Sequence, residues 1–361
     1  MKVVFVLASD DNTNNIKRIE EFIEHGYDVE VYSFKRRETL NKSNSIRFDI
    51  IGNFSNDLPY YKRILIMIKG VKTVLNKTRK TNCIYYLIRN DVALYFTLLS
   101  RRPYIFEEAD MSHLSMSNHF LSVLIEKRIK RIIKNSIVSV FRSEGFVQYH
   151  FEGNPPKNVF VIPNRLHKSV LDIPPCSYKS IDICNLKFGF VGGIRYESVF
   201  AFAKILLEYF PQHEFHFYGD FVSPKTELFF KPLKKYKNCF FHGKFKSPDD
   251  LPQIYSQIDL LLSTYDAYDI NVRYAEPNKL YESIFFNTPI IVSSNTFLSD
   301  KVRRLGIGYD INVFDKNKVL SFLNNLTIDS ITDKINNTKK IPPKDCISIN
   351  DSFFDMLSNL L

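Results

Sequence analysis

The chain has 361 residues, 45% of them hydrophobic, with 32 phenylalanines, no tryptophan and a formal net charge of +10. That length and apolar content suit two domains, each with its own core. The five cysteines, Cys83, Cys176, Cys184, Cys239 and Cys346, are scattered, with no Cys-x-x-Cys, no paired His–Cys spacing and no signal-peptide pattern. This argues for a reducing cytoplasm and against a zinc site or a disulfide framework. No apolar run approaches the ~20 residues that span a bilayer, and the longest candidate, 83 to 99, is broken by Arg89 and Asp91. The expectation is a soluble protein, or one that lies on a membrane without crossing it. The charge is uneven: residues 1 to 180 carry 28 Lys and Arg against 18 Asp and Glu, and residues 181 to 361 carry 21 of each. An excess confined to one half points to an anionic partner, nucleic acid or an acidic membrane surface. A basic background with no partner is the alternative.

In chain order, a strand at Val3 to Ala8 leads through a polar loop containing Asp10 to a helix from Ile16 to His25, closed by Gly26. Tyr27 to Phe34 is the next strand, so the chain opens as a β-α-β unit. The loop after the first strand has no Gly-x-Gly-x-x-Gly, which argues against a dinucleotide dehydrogenase. Strands follow near 46–50, 83–88, 104–107, 137–141 and 158–162, with helices over about 60–80, 91–99 and 118–135. Such alternation means a mostly parallel, doubly wound sheet.

Two of these helices hold the positive charge. One carries Lys62, Arg63, Lys69, Lys72 and Lys77 around Leu65, Met67 and Val71; the other carries Lys127, Arg128, Lys130, Arg131 and Lys134 around Leu124, Ile129 and Ile133. Basic amphipathic helices can lie on anionic lipid. The first is the better candidate, because helices of an α/β domain must also cover their sheet. No helix-turn-helix, RNP-like or zinc signature accompanies the charge, so nucleic acid is not expected.

Between about 163 and 185 the composition shifts, with Pro163, Pro174 and Pro175 and no clear period, as in an interdomain linker. Alternation then restarts. A strand at Leu186 to Val191 is followed by Gly192-Gly193-Ile194-Arg195 and a helix from Val199 to Tyr209. Two glycines at a strand's carboxyl end let backbone amides approach a phosphate, although a tight turn would also use them. Arg195 could grip a phosphate oxygen pair. Further strands at 213–218, 239–242 and 259–263 end near Gly219-Asp220, Gly243-Lys244 and Ser263, separated by helices over 225–236 and 248–257. Ligands bind beyond such carboxyl ends in open α/β sheets.

After a polar loop, Thr264 to Ala275, Pro277 opens a helix running to Phe286, with Leu280, Tyr281, Ile284 and Phe285 at helical spacing. Lys279 and Glu282 are neighbours near its start. A lysine and a carboxylate at a helix N-terminus suit a ligand carrying phosphate and hydroxyls; a solvated surface pair is the other reading. Strand 290–292, helices near 298–305, 315–325 and 329–337, a turn at 306–308 and a terminal amphipathic piece at 351–361 complete the chain.

The runs Phe190-Val191-Gly192-Gly193-Ile194-Arg195-Tyr196, Gly219-Asp220, Gly243-Lys244-Phe245 and above all Pro277-Asn278-Lys279-Leu280-Tyr281-Glu282 resemble those of GT-B glycosyltransferases, especially the retaining enzymes of capsular and O-antigen polysaccharide assembly. Val159 to Asn164 and Phe106-Glu107-Glu108-Ala109-Asp110 resemble first-domain segments of the same family. The resemblance implies an α/β fold of two Rossmann-like doubly wound parallel-sheet domains facing each other across a cleft. Residues 1–165 would form the acceptor side, with 346–361 packing back on it, and 166–185 the linker. Residues 186–345 would hold the nucleotide sugar through Gly193, Arg195, Gly219, Lys244, Asn278, Lys279 and Glu282. Glu282 would take the ribose hydroxyls, Lys279 and Arg195 the diphosphate that leaves, and Lys244 would lie beside the base. No metal or other cofactor is expected, since these cations can replace one.

Many retaining members have two glutamates with seven residues between them, the second where Glu282 stands. This chain has Tyr274 at the first position, and Glu276 is the nearest acid to take its role. On the acceptor side Asp110 is the candidate carboxylate for the acceptor hydroxyl, with Glu107, Glu108, His113 and Asp10 nearby. The implied activity is retaining transfer of a sugar from a nucleotide donor to a polyprenyl-diphosphate-linked glycan in bacterial surface polysaccharide synthesis, at the inner face of the plasma membrane. A nucleotide-sugar epimerase of the same fold and a non-catalytic scaffold subunit are the alternatives.

Overall fold

A computed structural model describes residues 1–9, 13–36, 46–55, 58–115, 118–173 and 180–361. Asp10, Cys176 and the linker prolines Pro174 and Pro175 lie outside the described residues. The chain divides into two compact units, one of residues 1–163 with 350–361 and one of residues 164–349.

The first unit is a seven-stranded parallel sheet built from β1 (Lys2–Leu7), β2 (Asp28–Lys35), β3 (Phe48–Asn53), β4 (Cys83–Ile88), β5 (Tyr104–Glu108), β6 (Ser139–Phe141) and β7 (Val159–Val161), in the order β3-β2-β1-β4-β5-β6-β7. Lys2 of β1 stands beside both Asp28 and Cys83, so β1 is central and the strand order reverses between β1 and β4. Val3 to Leu7 are buried throughout, the continuous apolar run of a strand covered on both faces. The cover comes from α1 (Thr13–Glu24), α2 (Tyr60–Lys77), α3 (Asn90–Leu99), α4 (His119–Asn135) and α5 (Glu144–Phe151). The core stacks Phe5 on Tyr86 at 4.7 Å and sets Phe22 against Phe354 at 4.9 Å.

The second unit holds β8 (Lys187–Val191), β9 (Glu214–Tyr218), β10 (Cys239–Gly243), β11 (Leu260–Ser263), β12 (Ile290–Ser293) and β13 (Gly308–Ile311), in the order β10-β9-β8-β11-β12-β13. Every recorded pairing is parallel, and the order reverses between β8 and β11. Its helices are α6 (Glu197–Tyr209), α7 (Pro224–Phe230), α8 (Leu251–Ser256), α9 (Ile270–Tyr274), α10 (Asn278–Phe285), α11 (Phe297–Leu305), α12 (Lys316–Asn324) and α13 (Ile328–Lys339). One core gathers Phe188, Phe190, Phe202, Phe215 and Phe217; the other joins Leu261, Leu280, Ile284 and Val292. Leu166 and Ser348 meet through a 2.8 Å hydrogen bond, so the segments entering and leaving this unit run side by side. The final helix, α14 (Asp351–Leu360), returns to the first unit and buries Phe353, Phe354 and Leu357.

Several elements differ from expectation for local reasons. The helix α5 was not expected; Ser143 caps it and Glu152 ends it in the left-handed region, leaving too few turns for a clear period. A single turn, α9, sits inside the expected loop, capped by Asp269. The turn expected at 306–308 opens into β13, a half-buried edge strand. The helix expected over 225–236 ends at Phe230 and tightens to a 3-10 turn at Pro232, which cannot donate.

Among the described residues no helix is long and apolar enough to cross a membrane, and no three His, Cys, Asp or Glu side chains are grouped to hold a metal ion.

A buried charge cluster ties α1 to the sheet of the first unit. Glu107, at the end of β5, accepts from Arg142 Nε at 2.6 Å, Arg18 Nε at 3.1 Å and the Tyr86 hydroxyl. Burial alone would raise its pKa, but the two guanidiniums and the hydrogen bonds win and hold it at about 2. Its stabilisation is therefore fully present above its ordinary value of 4.5 and is lost as pH falls toward 2. Glu107→Gln should cost roughly 3–5 kcal/mol, because it removes the carboxylate paired with Arg142 and one of the two paired with Arg18, which keeps Glu21. Urea unfolding at neutral pH measures that loss, and the difference from wild type should shrink in acid.

Candidate functional site

The candidate donor site lies at the carboxyl ends of β8 and β11, where the second sheet reverses order and open α/β sheets bind ligands. Backbone geometry builds it. Gly192 leaves β8 with φ +126°, and Gly219 leaves β9 with φ +132°. A Cβ on Gly219 would stand 2.1 Å from the Gly192 carbonyl, so this approach of the two strand ends requires glycine. A Cβ on Gly192 would come within 2.9 Å of Lys279 Nζ, so the missing side chain is the space the ammonium occupies. Gly193 is exposed beside them. The backbone N–H groups of Gly192 and Ile194 already donate to Tyr218 and Asp220, each at 2.8 Å.

Pro277 is the N-cap of α10 and provides no side-chain cap; the helix begins at Asn278, one residue later than expected. Leu280, Tyr281 and Ile284 bury one face against the sheet, and this orients Lys279 and Glu282. The Lys279 ammonium lies 4.8 Å from the centre of the Phe190 ring and 5.9 Å from that of Tyr265. It has no carboxylate within ion-pair distance among the described residues. Burial lowers its pKa to about 8, against the field of Glu282 and with that of Arg195. Glu282 is buried and accepts from the Tyr255 hydroxyl at 2.7 Å. Burial raises its pKa, and Lys279 and Tyr255 offset this only in part.

Arg195 is exposed, with its guanidinium 5.0 Å from the centre of the Tyr196 ring. Lys244, also exposed, pairs with Asp220 at 3.1 Å, joining the ends of β9 and β10. Glu276 is different: its side chain has no exposed surface and binds Lys301 Nζ at 3.0 Å and the Tyr281 hydroxyl. A further cavity of about 380 Å³ opens beyond β11, β12 and β13, lined by Tyr265, Arg273, Asn295 and Asn312 among others.

Five contributors were not expected from the sequence. Tyr255 and Lys301 sit in helices whose pattern signals only packing. Phe190 and Tyr265 flank the ammonium but read as core and loop. Asp266 has a further role: its carboxylate accepts from the N–H groups of Glu197 at 3.2 Å and Ser198 at 2.9 Å, so the N-terminus of α6 is already capped by an anion of the protein.

In the first unit Asp110 lies beyond the carboxyl end of β5, partly exposed, 3.8 Å from Arg89 and accepting from the Ser112 N–H at 3.2 Å. Burial would raise its pKa, but Arg89 and Ser112 outweigh it and the pKa is lowered. Glu107 and Glu108, expected nearby, are fully buried. Glu108 binds His150 Nε2 at 2.7 Å, Glu126 binds His150 Nδ1 at 3.1 Å and His113 Nε2 at 2.6 Å, and Asn90 bridges Glu108 to His113. Burial disfavours the imidazolium of His150, yet the two carboxylates raise its pKa to about 9.

No family model matches the chain, and no curated protein does. Among solved structures it is similar to HepE of Anabaena in complex with UDP-glucose, at 15% identity over 99% of this chain and 100% of that one, with a TM-score of 0.73. It is similar also to the sucrose-phosphate synthase of Thermosynechococcus elongatus, at 12% identity over 100% and 98% of the two chains, with a TM-score of 0.72. A third is WaaG, a glycosyltransferase involved in lipopolysaccharide biosynthesis, at 13% identity over 95% and 97%, with a TM-score of 0.60. With two parallel sheets of doubly wound order and these likenesses over its whole length, the chain has the two-Rossmann-domain GT-B fold.

Proposed function

We propose that the chain is a glycosyltransferase that moves a sugar from a nucleoside-diphosphate sugar to a hydroxyl of a glycan carried on a polyprenyl diphosphate, in bacterial surface polysaccharide synthesis. The observation that carries the donor half is the pair Lys279 and Glu282 at the start of α10, the first half-buried and the second buried, at the sheet's switch point. A diphosphate beside Lys279 and Arg195 restores the counter-charge that burial denies the ammonium. Ribose hydroxyls donating to Glu282 do the same for the carboxylate. The first turn of α10 adds its partial positive charge to the departing diphosphate, and Asn278 stands at that turn. Together these groups can stabilise the leaving group without a metal ion. The structures of HepE with UDP and with UDP-glucose support a nucleotide-sugar donor for this fold.

Gly193 and Gly219 keep the strand ends low beneath the nucleotide, and Lys244, steered by Asp220, is assigned to the base. Asp110 is assigned to the acceptor hydroxyl. Its lowered pKa makes it an anion that orients the hydroxyl more than a strong base. Glu276 contributes by position, tying Tyr281 of α10 to Lys301 of α11. Transfer is assigned as retaining, and no protein nucleophile is named.

The anionic partner of the basic half is assigned as the inner leaflet. Exposed apolar side chains stand at the first turns of two basic helices: Tyr60, Tyr61 and Leu65 on α2, and Phe120, Leu121 and Leu124 on α4, with Phe120 71% exposed. Only the later turns of α4, at Ile129, Ile132 and Ile133, are spent on the core. Arg101, Arg102, Arg128 and Arg131 line a cavity of about 690 Å³ at the amino end of β5.

Glu282→Ala should abolish nucleotide binding and donor turnover while circular dichroism and cooperative unfolding stay those of the wild type; normal turnover in that variant would sink the assignment. A thermal-shift screen with UDP, GDP, CDP and dTDP identifies the base, since a ligand bound to the native state raises its melting temperature. Nucleotide affinity of the wild type should fall as pH rises through about 8, where the Lys279 ammonium is lost. In Glu282→Gln any residual affinity should fall at lower pH, because the carboxylate that supports the ammonium is gone; calorimetry between pH 6.5 and 9.5 on the order of half-unit steps reads both. Vesicles rich in anionic lipid should float the protein at low salt and release it at high salt, and Phe120→Asp with Leu124→Asp should weaken flotation at either.

A further inference from the structure

The carboxyl ends of β2 and β4 in the first unit flank the end of β1, at the point where that sheet reverses its order. Arg36 follows β2, Arg89 follows β4, and Arg63 stands in the first turn of α2. The three guanidiniums are half-buried and close enough that Arg89 and Arg63 each disfavour the charge on Arg36. Arg36 lies 5.0 Å from the centre of the Phe54 ring, which forms an apolar floor under it. Among the described residues their counter-charges are two carboxylates. Asp91 is 3.7 Å from Arg36 and 3.5 Å from Arg89, and Asp110 is 3.8 Å from Arg89. Asp91 also spends an oxygen on the Val92 N–H at 2.9 Å. Arg63 has no carboxylate partner among the described residues.

The hydrogen-bond count is also incomplete. The Nε groups of Arg36 and Arg63 are buried and make no hydrogen bond with the described residues, and that of Arg89 has only its 3.5 Å contact with Asp91. Buried donors are ordinarily satisfied, and several unsatisfied ones of the same sign in one place point to an absent acceptor. Arg89 is held with φ +84°, a conformation that a non-glycine residue enters only at a cost and that is frequent at ligand sites. Guanidinium forks match phosphate oxygens in pairs.

We propose that Arg36, Arg63 and Arg89 form a second anion site, one that takes a phosphate or diphosphate group, with Asp110 at its edge. Only the naming of this group as part of the acceptor rests on the glycosyl-transfer reading. On that reading the acceptor's phosphate is anchored at the switch point of the first unit, and its hydroxyl is presented near Asp110. Asp110 and Asp91 hold the arginines in place but leave the excess positive charge for the ligand to neutralise. The same chemistry would be offered by a diphosphate on a lipid or by a soluble sugar phosphate.

The test is pyrophosphate binding by calorimetry, carried out in a Lys279→Ala background so that the proposed donor site is disabled. Lys279→Ala protein should bind pyrophosphate, and adding Arg36→Gln and Arg63→Gln should weaken it at least about tenfold, the loss of two charge-assisted contacts. Arg63→Gln alone, which breaks no ion pair, should weaken it in the same direction and guards against a folding defect from Arg36. Displacement of pyrophosphate by vesicles carrying a polyprenyl diphosphate would assign a lipid source, and displacement by glucose 6-phosphate a soluble one. Unchanged binding in the arginine variants, or no binding to the Lys279→Ala protein, would overturn the site. Either result leaves the donor reading standing, because that reading is decided by Glu282→Ala and nucleotide, not by pyrophosphate and the arginines.

Discussion

Much of the second unit's candidate site depends on one pair of opposite charges, one half-buried and one buried. Lys279 and Glu282 stand three residues apart on α10, and burial pushes each toward its neutral form. The field of each opposes that push on the other, and among the described residues Lys279 has no carboxylate at ion-pair distance and Glu282 one hydroxyl donor. Gly192 leaves room beside it for the ammonium, and the close approach of Gly192 to the end of β9 requires that Gly219 have no side chain. Two glycines on different strands and a lysine on a helix thus form one steric unit. On the proposed function, a nucleoside diphosphate would supply both complements, negative oxygens for the lysine and hydroxyl donors for the glutamate.

The first unit divides its ionisable groups differently. Glu107, Glu108, Glu126, His113 and His150 bind one another and the arginines of α1 and β6's exit, and so serve the packing of the strand ends. Asp110, two positions past β5, escapes that network and keeps some contact with solvent. The contrast separates carboxylates that hold the scaffold from one that can meet a ligand. Sequence position alone does not separate Glu107 and Glu108 from Asp110, since these three lie within a few residues of the same strand end.

The alternation of strands and helices was legible because parallel strands covered on both faces are nearly continuous apolar runs, and both sheets follow from it. Short or edge elements were not: α5, α9 and β13 lack the length or the two-sided burial that produces a pattern. Within the candidate site, the spacing of Pro277, Lys279 and Glu282 was informative because a helix start imposes it. The Gly-Gly turn was read as a place for amides to meet phosphate, yet two of its N–H groups are used between strands and the neighbouring helix is capped by Asp266. A cap supplied from about seventy positions away has no local signature. The partners of Glu276 and Glu282, Lys301 and Tyr255, are distant in sequence for the same reason.

The return of α14 to the first unit has a consequence for how the protein is made. Phe354 packs on Phe22 and Phe353 on Phe160, so the first unit's apolar core is closed by residues synthesised after the whole of the second. During translation the second unit, a single continuous segment, can complete its contacts while the first still exposes the surface around Phe22. Contacts of such long sequence separation form late. The basic first unit therefore closes after the second, although most of it emerges before it.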